Sequence, residues 1–213
     1  SYAVLPAVVD RYALLDRGSA LGRGNGQLLV RRRGDRSPIR RVAIPGELTT
    51  ANAMLLRFFP SIVDRTPVLF SEIAAAVERG AFDAGVLIHE GRFTYERHNL
   101  ELVADLGALW ERQTGLPLPL GGIVASRELP AEVRRTFDRV LHDGIAYALE
   151  HPTVSRPFVR EHARELDDEV IDRHIALFVN RYSLALGEEG RRAVRELTGL
   201  PDLRLGWEPL HGS

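Results

Sequence analysis

The chain has 213 residues and a formal net charge of −1, with 28 cationic side chains, all of them Arg, against 29 acidic ones, and neither Cys nor Lys. Within these residues the first absence excludes disulfides, thiolate–metal sites and cysteine nucleophiles, and the second excludes Schiff-base and phosphate-loop lysines. The balanced charge argues against broad attraction to nucleic acid or an acidic membrane, and no apolar run reaches the ~20 residues that span a bilayer.

The start, Ser1-Tyr2-Ala3-Val4-Leu5-Pro6, has no basic leader, so no signal peptide is read there. Val4, Ala7, Val8, Tyr12 and Leu15 recur at helical steps and predict a helix over 2–15. Gly18, Gly22, Gly24 and Gly26 mark a loop, and Gln27-Leu28-Leu29-Val30 reads as a short buried strand. Arg31 to Arg41 carries six Arg with Gly34 and Pro38, which reads as a solvated loop more readily than as a binding patch. Arg41-Val42-Ala43-Ile44-Pro45-Gly46 predicts a strand ending in a turn. Thr49-Thr50-Ala51 then opens a helix that carries Met54, Leu55, Leu56, Phe58 and Phe59. A helix is predicted over Ser71 to Arg79, capped by Ser71 and stopped by Gly80. Asp83 to Ile88 is a buried strand, with His89-Glu90-Gly91 just past its end. Leu100 to Leu106 reads as a strand, Leu109 to Thr114 as a helix, Leu116 to Gly122 as a proline-stiffened crossing and Ile123-Val124-Ala125 as a strand. Beyond residue 128 the pattern is helical alone: Ala131 to Glu150, Pro157 to Glu165, a helix from Asp167-Asp168-Glu169, and Glu188 to Leu197. Trp207 reads as packing in a terminal loop.

Alternating strands and helices predict an α/β fold with a mostly parallel sheet, in which ligands sit beyond the carboxyl ends of strands. Two features fall at such ends. A helix start presents unpaired N–H groups and partial positive charge, so Thr50 and Ala51 suit a carboxylate or phosphate, unless Thr49 is simply a cap. His89 follows a buried strand directly, where an imidazole serves either as a general base near neutral pH or as a packing group. The other histidines form no H-E-x-x-H or similar set, so no metal site is expected.

Gly85-Val86-Leu87-Ile88-His89-Glu90-Gly91-Arg92-Phe93-Thr94-Tyr95 resembles the I-H-E-x-R-F-T-Y signature of the 1,4-dihydroxy-6-naphthoate synthase family, from the futalosine route to menaquinone. Further segments are similar to that family in order and spacing: Asp10 to Leu15 with Ala20 to Gly24, Val42 to Gly46 with Thr49-Thr50-Ala51, and Asp105-Leu106-Gly107 through Trp110-Glu111 to Gly121. Asp168 to Ile171 and Val179-Asn180 with Tyr182-Ser183-Leu184 extend the likeness across the chain.

The resemblance implies an α/β, periplasmic-binding-protein-like fold, with two lobes of mixed, mostly parallel sheets around a cleft. Residues 1–39 and 122–213 are then expected to form the first lobe and 40–121 the second. It implies a bacterial, cytoplasmic lyase that splits cyclic dehypoxanthinyl futalosine into 1,4-dihydroxy-6-naphthoate and a sugar fragment, with no cofactor. The expected partner is this small-molecule carboxylate, not nucleic acid or membrane. His89 corresponds to the family's proton-accepting histidine, Thr50 and Ala51 to substrate-contacting positions, and Ser1 to a substrate-lining serine. The family's leading strand, its S-P-C-P-N-D loop and a second βα unit have no counterpart, so about 60 residues of the first lobe are expected to be missing. Chorismate dehydratase and a non-catalytic solute-binding protein are the alternatives on the same fold. The proton donor, the oligomeric state and the roles of Glu90, Arg92 and Tyr95 are left open.

Overall fold

The computed structural model describes all residues except 25, 90, 164–166, 202 and 204–213. Expectations for Glu90, the helix end at Glu165, the Trp207 tail and His211 therefore lie outside the described residues. In chain order the elements begin with a 3-10 turn Tyr2–Val4 and α1 (Leu5–Val8), followed by strands β1 (Tyr12–Leu14), β2 (Ala20–Gly22), β3 (Leu28–Arg32) and β4 (Arg41–Ile44). Then come α2 (Thr50–Phe58), β5 (Asp64–Pro67), a 3-10 turn Phe70–Glu72, α3 (Ile73–Glu78) and β6 (Ala84–Leu87). The short α4 (Gly91–Thr94) and a 3-10 turn Tyr95–His98 lead into β7 (Leu100–Asp105), α5 (Leu106–Thr114), β8 (Leu118–Gly121) and β9 (Val124–Ser126). The remainder is helical: α6 (Ala131–Glu150), α7 (Arg156–His162), α8 (Asp168–Phe178), α9 (Arg181–Leu184) and α10 (Gly187–Thr198).

The chain forms two compact units. One comprises Ser1 and Gly22–Leu118, and the other Tyr2–Leu21 and the chain from Pro119 onward. The chain passes between the units at Ser1/Tyr2, within β2 and within β8. Residues 22–39 lie in the unit of Gly22–Leu118. The reason is hydrogen bonding: β3 pairs on one side with β6 and on the other with β7, which fixes residues 28–32 in the first unit.

That unit is built on a five-stranded sheet of order β5-β4-β6-β3-β7. β4 is parallel to both β5 and β6, while β3 runs antiparallel to β6 and β7. Side chains alternate across a strand, so each strand supplies two layers. Leu28, Val30, Ala43, Leu87 and Leu100 form a buried cluster with Ile73 and Val77 of α3. Gly85 is required there, because a Cβ would lie 2.5 Å from an Ile73 methyl. Leu29, Val42, Ile44 and Val86 are equally buried and point to the opposite face. Helix α2 contacts β6 and α5 contacts β3, with Met54, Leu55 and Trp110 buried. Burial on both faces explains the nearly continuous apolar runs of β4 and β6.

In the other unit β1 pairs antiparallel with β9. The helix expected over 2–15 therefore stops at Val8, because Tyr12-Ala13-Leu14 takes ladder partners over a hundred residues away. Tyr2 is buried against Ser19, their hydroxyls 2.7 Å apart, and burial pushes the phenol's pKa up. Asn180 caps α9 in a reciprocal box with Ser183, whose hydroxyl donates to the Ser19 carbonyl at 3.0 Å. Arg17 donates to the Leu184 carbonyl at 2.7 Å and lies beside Asp16 and Asp138. A cavity of about 280 Å³ in this unit is lined by Arg17, Arg135, Asp138, Arg139 and His142, none of them a predicted site residue.

Candidate functional site

The carboxyl ends of β5, β4 and β6 lie side by side, in the order set by their parallel pairing. Each is followed by a residue with chemistry to offer: Phe70 after β5, Thr49-Thr50-Ala51 after β4, and His89 after β6. This edge of the sheet brings the sequence-predicted residues together in one unit.

The start of α2 is built from side chains turning back on the backbone. Thr49 has extended backbone and caps the helix, its hydroxyl donating to the Gly46 carbonyl at 2.7 Å and accepting the Asn52 N–H at 3.2 Å. The buried Asn52 amide donates to the Glu47 carbonyl at 2.8 Å and so closes the turn from inside. The Ser1 hydroxyl accepts the Thr50 N–H at 2.7 Å and lies 2.9 Å from the Thr50 hydroxyl. Between those two occupied donors, the Ala51 N–H has no acceptor among the described residues. Thr49 is therefore a cap, and the helix start still keeps an open N–H beside two hydroxyls. Such a place favours an anionic oxygen through its unpaired donor and the positive end of the helix dipole.

His89 adopts a left-handed backbone conformation, φ 53°, which is uncommon for a residue with a Cβ. The turn is closed by Gly91 N–H donating to the Ile88 carbonyl at 3.2 Å and Arg92 N–H to the His89 carbonyl at 3.4 Å. Its imidazole is exposed and meets the Phe70 ring edge to face, with centroids 5.4 Å apart and planes at 70°. Strained backbone concentrates at functional sites, which makes this position notable apart from its residue type.

Arg92 anchors that turn. Its guanidinium donates to the Gly26 carbonyl at 2.6 Å, to the Gly24 carbonyl at 3.4 Å and to the Asp105 carboxylate at 2.8 Å. The other carboxylate oxygen of Asp105 caps α5 by accepting the Ala108 N–H at 3.0 Å. Gly26 can approach this closely only because it lacks a Cβ, which would lie 2.4 Å from the backbone of Gly107. Tyr95 packs against the buried cluster of the sheet, and burial together with Glu96 pushes its phenol pKa up. Arg92 and Tyr95 of the signature thus hold the His89 turn to the sheet.

The basic stretch around the end of β3 is a partly paired loop. Glu101 pairs with Arg31 at 3.0 Å and with Arg36, and Asp35 pairs with Arg32 at 2.5 Å. The Arg36 contact and the Gly34 N–H hold the Glu101 carboxyl down to about 2. Among the described residues, no group of three or more His, Asp or Glu is placed to hold a metal ion.

The sequence profile of the menaquinone biosynthesis family matches residues 1–201. The chain belongs to that family, among the 1,4-dihydroxy-6-naphthoate synthases. A Thermus thermophilus protein of that name is 47% identical over 202 residues, which are 92% of this chain and 72% of the relative. A crystal structure of an Archaeoglobus fulgidus protein shares 34% identity and a TM-score of 0.84, covering 92% of this chain and 74% of the other. A Candida albicans protein described as having the generic periplasmic binding protein fold is 9% identical, with a TM-score of 0.64 over 94% of this chain and 72% of its own. The family has this fold, an α/β architecture with mixed sheets, and it makes the chain an enzyme of menaquinone biosynthesis.

Sequence reading did not find Phe70 or Asn52 as parts of this edge. No local signal exists for Phe70, because Asp64-Arg65-Thr66-Pro67 is too polar to be read as the strand that delivers it. Asn52 was readable in principle, as a polar residue one turn into a helix whose neighbours are buried.

Proposed function

We propose that this enzyme is a carbon–carbon lyase that converts cyclic dehypoxanthinyl futalosine to 1,4-dihydroxy-6-naphthoate in the cytoplasm, with His89 as general base. The observation that carries the reading is one sheet edge that holds both an exposed imidazole on a left-handed turn and a helix start with an open N–H. A substrate carboxylate accepts hydrogen bonds from the Ala51 N–H and the Thr50 hydroxyl, with Ser1 holding Thr50 in place. His89 removes the proton of a substrate hydroxyl. The C–C bond then breaks in a retro-aldol sense, and the electron pair enters the ring system that becomes aromatic. The anion-binding helix start contributes by fixing the substrate against the base, a source of rate that needs no further group on the protein. The functional name of the relatives supports 1,4-dihydroxy-6-naphthoate as the product.

The test is incubation of the protein with cyclic dehypoxanthinyl futalosine, followed by mass and absorbance detection of 1,4-dihydroxy-6-naphthoate. Product is expected, and Thr50→Val should raise KM about tenfold, because one hydrogen bond to a charged oxygen is lost. No product from folded protein contradicts the reading.

A further inference from the structure

The turn that carries His89 fixes its backbone and leaves the plane of its ring to be set by neighbours. Phe70 is such a neighbour, with ring centroids 5.4 Å apart and planes at 70°. Its backbone is tied down by hydrogen bonds. The Ile73 N–H bonds to the Phe70 carbonyl, and Glu72 N–H to that of Leu69 at 2.8 Å, where the fully buried Ile73 begins α3. Phe70 nevertheless stays 40% exposed at the end of a strand in which Asp64 and Pro67 are exposed too. An aromatic ring on a tethered backbone, not used for the core, is available to the imidazole beside it.

We propose that Phe70 is a positioning residue for His89: its ring sets the plane of the imidazole so that a ring nitrogen faces the substrate proton. The proposal rests on the lyase reading above. Edge-to-face pairs prefer this separation and tilt, and their added attraction corresponds to a factor of up to about ten in rate when one geometry is productive. Phe70→Leu keeps the apolar volume and removes the ring. It should lower kcat about tenfold with cyclic dehypoxanthinyl futalosine and leave KM within about twofold, since no substrate contact is lost. Phe70→Tyr keeps the ring and should recover kcat to within about threefold of the parent. The NMR resonances of the His89 ring protons should move in Phe70→Leu, as the ring current disappears, and return in Phe70→Tyr.

Unchanged kcat and unchanged His89 resonances in Phe70→Leu overturn the proposal, as does a Phe70→Tyr variant no better than Phe70→Leu. A parallel His89→Gln variant separates the two levels. If it is inactive while Phe70→Leu behaves as the parent, only the positioning role fails. If it keeps turnover, the assignment of His89 as the base fails, and this proposal with it.

Discussion

At Arg92 a single guanidinium reaches three oxygens drawn from the lead-in to β3 and from the last residue of β7. A planar fork can do this, and an ammonium on a flexible stem cannot. Arg92→Lys should therefore free the turn on which His89 sits. Turnover is expected to fall several-fold, and urea denaturation should show a loss of about 1–2 kcal/mol for the charged hydrogen bonds given up. Full activity with unchanged stability would show that the guanidinium is dispensable. The left-handed φ of His89 belongs to the same unit of design: a strained backbone persists where surrounding bonds over-determine it. The residue types at this site were legible in the sequence, since His89 and Thr50-Ala51 sit where strands end. The roles of Phe70 and Arg92 were not, because both depend on which strands neighbour one another.

Among the elements, those with strong local signals were read well. The start of α2 carries its own punctuation in Pro45, Gly46 and Thr49, and α6 runs over Ala131–Glu150 as the sequence predicts, although Val133, Phe137, Val140 and Tyr147 are exposed. The failures share a cause. β1 was read as helix because Tyr12 and Leu15 continue the spacing of Val4 and Val8, whereas its state is decided by pairing with β9. β5 lies at the end of the strand order, where polar side chains face solvent and no apolar pattern is needed.

One inter-strand tie at this scale is testable by pH. Asp83, just before β6, accepts the N–H groups of Arg40 and Arg41 at 2.9 and 2.8 Å and binds the start of β4 to that of β6. Burial acts to raise its pKa, but those two N–H donors and the nearby guanidinium charges outweigh it, and the net shift is downward. A carboxyl lowered in the folded state stabilises above its unfolded pKa and loses that contribution as pH falls through its folded value. Asp83→Asn should thus cost about 1–2 kcal/mol at pH 7 and progressively less below about pH 4. A cost that stays the same at pH 3 would show that charge plays no part.

On the scale of the molecule, the fold class was legible in the sequence, from its alternating strands and helices and from the family segments. The glycine-rich stretch around residue 22 leads from one unit into the other, and the arginine-rich loop near residue 38 lies inside the first unit. The loop drew notice for its charge, but Glu101 and Asp35 neutralise much of it locally, in keeping with a net charge of −1. Among the described residues no helix is long and apolar enough to cross a membrane. The chain spans 72% of the length of the Thermus thermophilus synthase that it matches, and the site argued for here lies wholly within one of its two units. Single-turnover kinetics with cyclic dehypoxanthinyl futalosine test whether His89 is the base for naphthoate formation. His89→Gln, folded as the parent by its denaturation midpoint, is expected to form naphthoate at least about a hundredfold more slowly. Naphthoate formation by that variant at the parent rate would rule His89 out as the base.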